Sequence, residues 1–220
     1  MNAPQQLSSR RPIQARDSQW AKAVAQRLAK MGMLPNQISM LSVACAAAAG
    51  ACMINANAAA APLKILLYVG AALLIQMRLL CNLFDGMVAV EGRLKSKSGE
   101  IFNELPDRFA DAIILVCAGY VHGTWSFTPT LGWAAGTLAI ITAYVRALGA
   151  ASGASHAFCG PMAKQQRMAV VTVACLLAAG EAMLGWPPRI FGASLMIIVI
   201  GCVITITRRI RFILRELEAK

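Results

Sequence analysis

Long apolar runs that each approach the length of a membrane crossing constrain this chain more than any other feature. Six such runs, at about 36–56, 63–90, 101–121, 129–150, 165–184 and 188–208, come close to the ~20 residues a helix needs to cross the hydrocarbon layer. A lipid interior offers no water to backbone N–H and C=O groups, so each span must satisfy them internally as a helix, and open sheet is excluded. The expected fold class is therefore all-α, an integral membrane bundle of six transmembrane helices. Composition agrees: 58% of residues are hydrophobic and 14% charged, against roughly half and a quarter in soluble domains.

Lys and Arg gather in cytoplasmic loops, which orients the spans. Arg10, Arg11, Arg16, Lys22, Arg27 and Lys30 precede the first span, and Arg93, Lys95 and Lys97 join the second to the third. Arg146, Lys164 and Arg167 border the connection between the fourth and fifth, and Arg208, Arg209, Arg211, Arg215 and Lys220 follow the sixth. The alternate loops hold only Lys64 and Arg189. Both termini are expected in the cytoplasm, at the inner or plasma membrane if the chain is bacterial. The net charge of +11 then reports topology and contact with anionic lipid. A nucleic-acid partner is disfavoured and none is expected, because no basic stripe is interleaved with exposed aromatics and the positive groups sit at membrane edges.

Residues 1–31 read as a cytoplasmic tail and an interfacial helix, and 32–220 as one six-span membrane domain. "DSQWAKAVAQRLAKM", 17–31, places Trp20, Val24, Leu28 and Met31 on one face, with Asp17 or Ser18 as cap, the pattern of a helix lying in the interface plane. The first apolar run starts too late and is too long for a signal peptide. Seven cysteines show neither C-x-x-C pairs nor metal-ligand spacing and read as small buried hydrophobes. His122 and His156 lie in opposite loops and are given no catalytic part.

Against this apolar background, "CNLFDGMVAVEGRLKSKSGEIFNELPDRFAD", 81–111, holds six of the ten carboxylates: Asp85, Glu91, Glu100, Glu104, Asp107 and Asp111. Ionisable groups at membrane depth are costly and point to function. Asn82 and Asp85 are three apart, on one face at the end of the second span; Asn103, Asp107 and Asp111 are four apart at the start of the third. If these helices are antiparallel neighbours, the two stripes meet in a cluster of oxygens. Carboxylate and amide oxygens without His or Cys favour a hard divalent ion, Mg²⁺ or alternatively Mn²⁺ or Ca²⁺. Gly86 lets a ligand approach the backbone, and metal-bridged phosphate is the natural guest. Structural explanations compete for the amides: Asn103 as a helix cap, Asn82 as an interhelical hydrogen bond. Pro106 is placed in the first turn of the third span, where its missing N–H is tolerated.

These residues resemble the CDP-alcohol phosphotransferases, membrane enzymes of phospholipid headgroup synthesis, whose pattern runs D-x-x-D-G-x-x-A-R, seven to nine residues, then G-x-x-x-D-x-x-x-D. "NLFDGMVAV" supplies Asn82, Asp85, Gly86 and Ala89, and "GEIFNELPD" supplies Gly99, Asn103 and Asp107. "LPNQISMLS" resembles the family's start to its first span, and "YVRALGA" and "AKQQRM" its later basic elements. The resemblance implies transfer of a phosphoalcohol group, in most relatives phosphatidyl from CDP-diacylglycerol, to a hydroxyl acceptor with release of CMP. It implies two divalent ions, Mg²⁺ or Mn²⁺, and a homodimer. It makes Asp107 the base, with Asp111 beside it as a substitute acid, and Asn82, Asp85, Asn103, Asp107 and Asp111 the metal shell. Gly86, Ala89, Arg93 and Gly99 would border the nucleotide, and Arg146, Lys164 and Arg167 would meet acceptor or donor phosphate.

The pattern departs from the family at Asn82 and Asn103, where it has aspartate, and at Val90, where it has arginine. An amide offers an oxygen but no charge. A non-catalytic homologue binding lipid or partner proteins is therefore a second reading. A small cation transporter is a third, disfavoured because the acids gather at one side rather than near the midplane.

Overall fold

The structure, a computed structural model, describes residues 18–91, 99–123, 125–155 and 157–219, without the side chains of Glu91, Glu100 and Asn103. The described residues form seven helices: α1 (Gln19–Lys30), α2 (Pro35–Asn55), α3 (Ala61–Glu91), α4 (Gly99–Gly119), α5 (Thr128–Ala151), α6 (Lys164–Leu184) and α7 (Ile190–Glu218). Five of them, α2, α3, α5, α6 and α7, are long and apolar enough to cross a membrane. α4 has 21 residues, but Glu104, Asp107, Arg108 and Asp111 make its first half polar. The chain is an all-α membrane bundle.

α2 to α7 close into a ring. α2 packs on α3 and on α4, α3 on α6, α6 on α7, α7 on α5, and α5 back on α4. α3 and α4, consecutive in sequence, touch only lightly because α2 separates their backbones. The two polar stripes come together through long side chains that bridge the gap, rather than through close backbone packing of the two helices. Each helix turns bulky residues such as Leu66, Leu73, Val173 and Ile197 outward and small ones inward, as suits association in lipid, where packing rather than water exclusion joins helices. α4 and α5 cross on Gly119 and Gly132, where a methyl added to Gly132 would lie 2.8 Å from the Gly119 Cα.

One helix makes a contact that the sequence left open, and two details of α4 differ from expectation. α1 buries Ala21 and Ala25 against Cys81, Leu83, Met87 and Val88 of α3, while Trp20 and Met31 are exposed. Two alanines permit a close approach that the larger residues would block, and Trp20 meets Phe84 edge-on at 6.0 Å. α4 begins at Gly99, so Asn103 stands inside the helix and is not its cap. For the same reason Pro106 is a helix-interior proline, and the Phe102 carbonyl lacks its usual i+4 donor. The tail 1–16, the loop residues Arg93, Lys95 and Lys97, and His156 lie outside the described residues.

Candidate active site

At the end of the ring where the α3–α4 and α5–α6 connections lie, charged side chains from three helices meet in two layers. α3 contributes Arg78, Asn82 and Asp85, spaced four and three apart on one face. α4 contributes Asp107 and Asp111, and α6 contributes Lys164 and Arg167, each pair about one turn apart.

The outer layer holds Asp85, Asp107 and Lys164. Asp85, 2% exposed, accepts from the Ser39 hydroxyl of α2 at 2.8 Å and from the Gly86 backbone N–H at 2.5 Å. Asp107 and Lys164 lie close enough to act on it electrostatically, yet among the described residues no basic nitrogen forms a salt bridge with it. Asp107 pairs with Lys164 through Oδ2 and accepts from Arg78 Nη2 at 3.3 Å through Oδ1. Asn82 is half-buried, and its Nδ2 finds no acceptor among the described residues.

The inner layer, one to two turns deeper, holds Arg78, Asp111 and Arg167. Asp111 Oδ1 accepts from Arg78 at 2.6 Å and Oδ2 from Arg167 at 2.8 Å. All three side chains are essentially sealed, Arg78 at 0% and Asp111 and Arg167 at 1%. Arg167 also donates to the Met162 carbonyl at 3.0 Å and to Thr142 Oγ1 at 3.2 Å. Arg78 keeps two buried nitrogens, Nε and Nη1, without a partner among the described residues. Charges this deep hold together because attraction and hydrogen bonding offset part of the several kcal/mol lost in desolvating each ion.

On the α5 and α6 side of Asp107 opens a cavity of about 150 Å³, lined by Glu104, Asp107, Arg108, Thr142, Arg146, Phe158, Lys164, Gln165, Arg167 and Arg209 among others. Glu104 accepts from Arg108 and from Arg146, both at 2.9 Å, and Arg146 lies 5.7 Å from the Phe158 ring centre. Arg209 of α7 is buried and donates to the carbonyls of Thr142 and Cys159. Cation-rich walls beside a buried carboxylate suit an anionic or phosphate-bearing guest.

The structure thus brings together Asn82, Asp85, Asp107, Asp111, Lys164 and Arg167, with Arg146 across the cavity. Gly86 and Ala89 follow on the same helix, and Gly99 is the first residue of α4. Arg93 and the Asn103 side chain lie outside the described part.

Ser39, Arg78, Arg108 and Arg209 are new relative to the sequence reading. Arg78 was visible as a lone arginine inside an apolar run, four residues before Asn82, the kind of residue that asks for an explanation in a membrane span. Ser39 belongs to "PNQIS", which the resemblance singled out without giving its hydroxyl a partner. Arg209 was absorbed by the positive-inside pattern, and nothing local distinguishes it from Arg208.

The chain matches no family model and no curated protein by sequence. Solved structures do resemble it. The phosphatidylinositol phosphate synthase of Mycobacterium tuberculosis with CDP-DAG bound superposes with a TM-score of 0.72 and 15% identity, over 89% of this chain and 94% of that one. The same synthase in complex with manganese and citrate gives 0.71 and 15%, over 88% of each chain. This chain shares their fold.

Proposed function

We propose that this chain is a CDP-alcohol phosphotransferase that moves a phosphoalcohol group, a phosphatidyl group from CDP-diacylglycerol, onto a hydroxyl acceptor in phospholipid synthesis. The observation that carries the reading is the convergence of Asp85, Asp107 and Lys164, from three different helices, within electrostatic reach of one another. It is supported by the family signature and by a fold shared with a synthase solved with CDP-DAG bound.

Asp107 is the proton acceptor, oriented by Lys164 and Arg78 at the mouth of the cavity. The acceptor enters through that cavity, with any phosphate it bears drawn to Arg108, Arg146 and Lys164. Its hydroxyl oxygen bonds to the donor's β-phosphorus as the proton passes to Asp107. The bond from that phosphorus to the CMP oxygen breaks, and CMP leaves with the electron pair. Gly86, Ala89 and Gly99 border the nucleotide, with Arg93 as a further contact; Gly86 permits close approach to the helix.

The residues present fit a divalent cation on the Asp85 side. A sealed carboxylate without a salt bridge is expensive unless a cation joins it, and the Asn82 amide beside it has an unsatisfied buried atom. Asp85 and Asn82 would hold the ion, with Asn103 completing its shell, and Mg²⁺ or Mn²⁺ would supply charge neutralisation for the phosphates; Asp107, its two oxygens paired with Arg78 and Lys164, would serve as the base rather than as a ligand. Asp111 has both oxygens on arginines, so its part is to fix Arg78 and Arg167. We place the site and both termini in the cytoplasm from the Lys and Arg distribution, read all six of α2–α7 as spans, α1 as an interfacial helix, and take the working unit to be a homodimer by family likeness.

The test is direct. Purified protein with Mg²⁺ or Mn²⁺, radiolabelled CDP-diacylglycerol and pooled alcohols is expected to release CMP and yield one labelled lipid, whose headgroup names the acceptor. No CMP release across a panel of CDP-alcohols would sink the reading. It would favour the non-catalytic lipid- or partner-binding homologue that Asn82, Asn103 and Val90 keep in view.

A further inference from the structure

We propose that Arg78 is a resident cation of the acidic cluster, which leaves this chain room for one divalent ion, on Asp85, rather than the two that the family resemblance implies. The inference rests on the metal-dependent reading above and deepens it.

The carboxylates are not equivalent. Asp111 gives one oxygen to Arg78 and the other to Arg167, at 2.6 and 2.8 Å. Asp107 gives one to Arg78 and one to Lys164. An ion bridging these two acids would sit where the Arg78 Nη2 already lies, since that nitrogen contacts both. Arg78 cannot retreat to water, because it is 0% exposed and reaches the cluster from the deeper part of α3. Among the described residues, Asp85 is the one of the three acids with only neutral donors, Ser39 and Gly86. The unsatisfied Asn82 Nδ2 beside it marks a place that the amide oxygen would occupy after a half-turn about its last torsion.

Charge points the same way. Asp85, Asp107 and Asp111 carry three negative charges, and the cations paired with Asp107 and Asp111, namely Arg78, Lys164 and Arg167, carry three positive ones, so these acids and their ion-pair partners sum to zero. One divalent ion adds two positive charges, and the diphosphate of a CDP-alcohol carries two negative ones; the loaded site returns to neutrality. A second ion would leave two uncompensated charges under a membrane surface, where isolated charge is strongly disfavoured. On this account Asn82 has no need of the family's aspartate, because the arginine one turn before it supplies the charge that an extra metal would have brought.

The experiment counts ions without any donor present. Metal-free protein in detergent is loaded with Mn²⁺ and desalted; bound manganese is measured by mass spectrometry, and the coupling between ions by electron paramagnetic resonance. Wild type is expected to hold one Mn²⁺ per chain with an uncoupled six-line spectrum, and Asp85→Asn to lose it. Arg78→Gln, by vacating Asp107 and Asp111, is expected to approach two ions per chain with an exchange-coupled signal. Two ions in the wild type, or none, overturns the proposal, and the wild-type count decides it even if Arg78→Gln does not fold. A folded Arg78→Gln that still holds one ion overturns the role given to Arg78. A wild type that holds one ion yet releases no CMP keeps this inference and removes the transferase reading, so the two fail separately.

Discussion

Three carboxylates lie within a few turns of one another in the bundle, and their surroundings separate what each loss should do. Asp85→Asn and Asp107→Asn keep shape and hydrogen-bonding capacity at the outer layer while removing the charge that binds or the oxygen that takes the proton. Each is expected to lower CMP release by at least ~10²-fold, the low end for losing a positioned base, with an unchanged elution profile in detergent. A wild-type rate from either would contradict the site. Asp111→Asn differs, because Arg78 and Arg167 then face each other with their shared counter-charge gone. Breaking a sealed ion pair on one side costs about 3–5 kcal/mol, so thermal unfolding in detergent should shift clearly downward. Arg167→Met combined with Asp111→Asn removes one stranded cation, and the double variant is expected to unfold above the Asp111→Asn single. If the two losses simply add, the inner layer is not a coupled unit. Asp85 and Asp107 could be singled out from spacing alone because acid in an apolar chain needs a reason. Arg78 escaped because a pattern search keyed to acids passes over the base that sits among them.

At the level of the helix, the sequence legibly specified spans and left their pairing open. Apolar length gave α2, α3, α5 and α6 close to their observed bounds, since a helix in lipid has no competing structure; for α7 it gave the start but ended at 208, whereas the helix continues through its basic run to Glu218. The start of α4 was read at 101 rather than Gly99, because Gly and Glu carry no apolar signal, and this small shift moved Asn103 and Pro106 from the first turn into the body of the helix. Whether α3 and α4 are neighbours stayed a condition in the sequence, because packing is decided by where small residues permit contact, and α2 is lined with Ala46, Ala49 and Gly50. The same physics gives a prediction at the α4–α5 crossing. A methyl at Gly132 would lie 2.8 Å from the Gly119 Cα and 2.9 Å from the Leu115 carbonyl oxygen, backbone atoms that cannot rotate away. Gly132→Ala should cost about 1–3 kcal/mol, as overpacking does, and lower the melting temperature. Gly180→Ala, in α6 with nothing within 4 Å of the added carbon, should be neutral or slightly stabilising because alanine is the better helix former. Equal effects from the two would mean that the crossing is looser than its geometry implies.

For the molecule as a whole, the question is which end of the ring faces the cytoplasm. The two ends are built differently. At one, Asn57 ties neighbouring turns together, donating to the Tyr120 carbonyl at 2.9 Å and accepting from the His122 N–H at 2.8 Å, and bases are scarce. At the other lie the charged layers, the cavity and α7's run of Arg208, Arg209, Arg211 and Arg215. α7 has 29 residues, about 44 Å at 1.5 Å per residue, which exceeds the ~30 Å hydrocarbon core; the excess is the basic end, suited to anionic lipid headgroups. A soluble nucleotide donor headgroup and a polar acceptor must come from the compartment that makes them, so a CDP-alcohol enzyme with this layout works only if the basic end is cytoplasmic. Ala58 and Ser152 are exposed at opposite ends and make the test. In intact cells, a membrane-impermeant maleimide should label Ala58→Cys above the background of the native cysteines, and Ser152→Cys only after lysis. The reverse pattern would put the cavity outside, away from cytoplasmic CDP-alcohol headgroups, and the transferase reading would fall with the orientation while the fold and its charged layers stood.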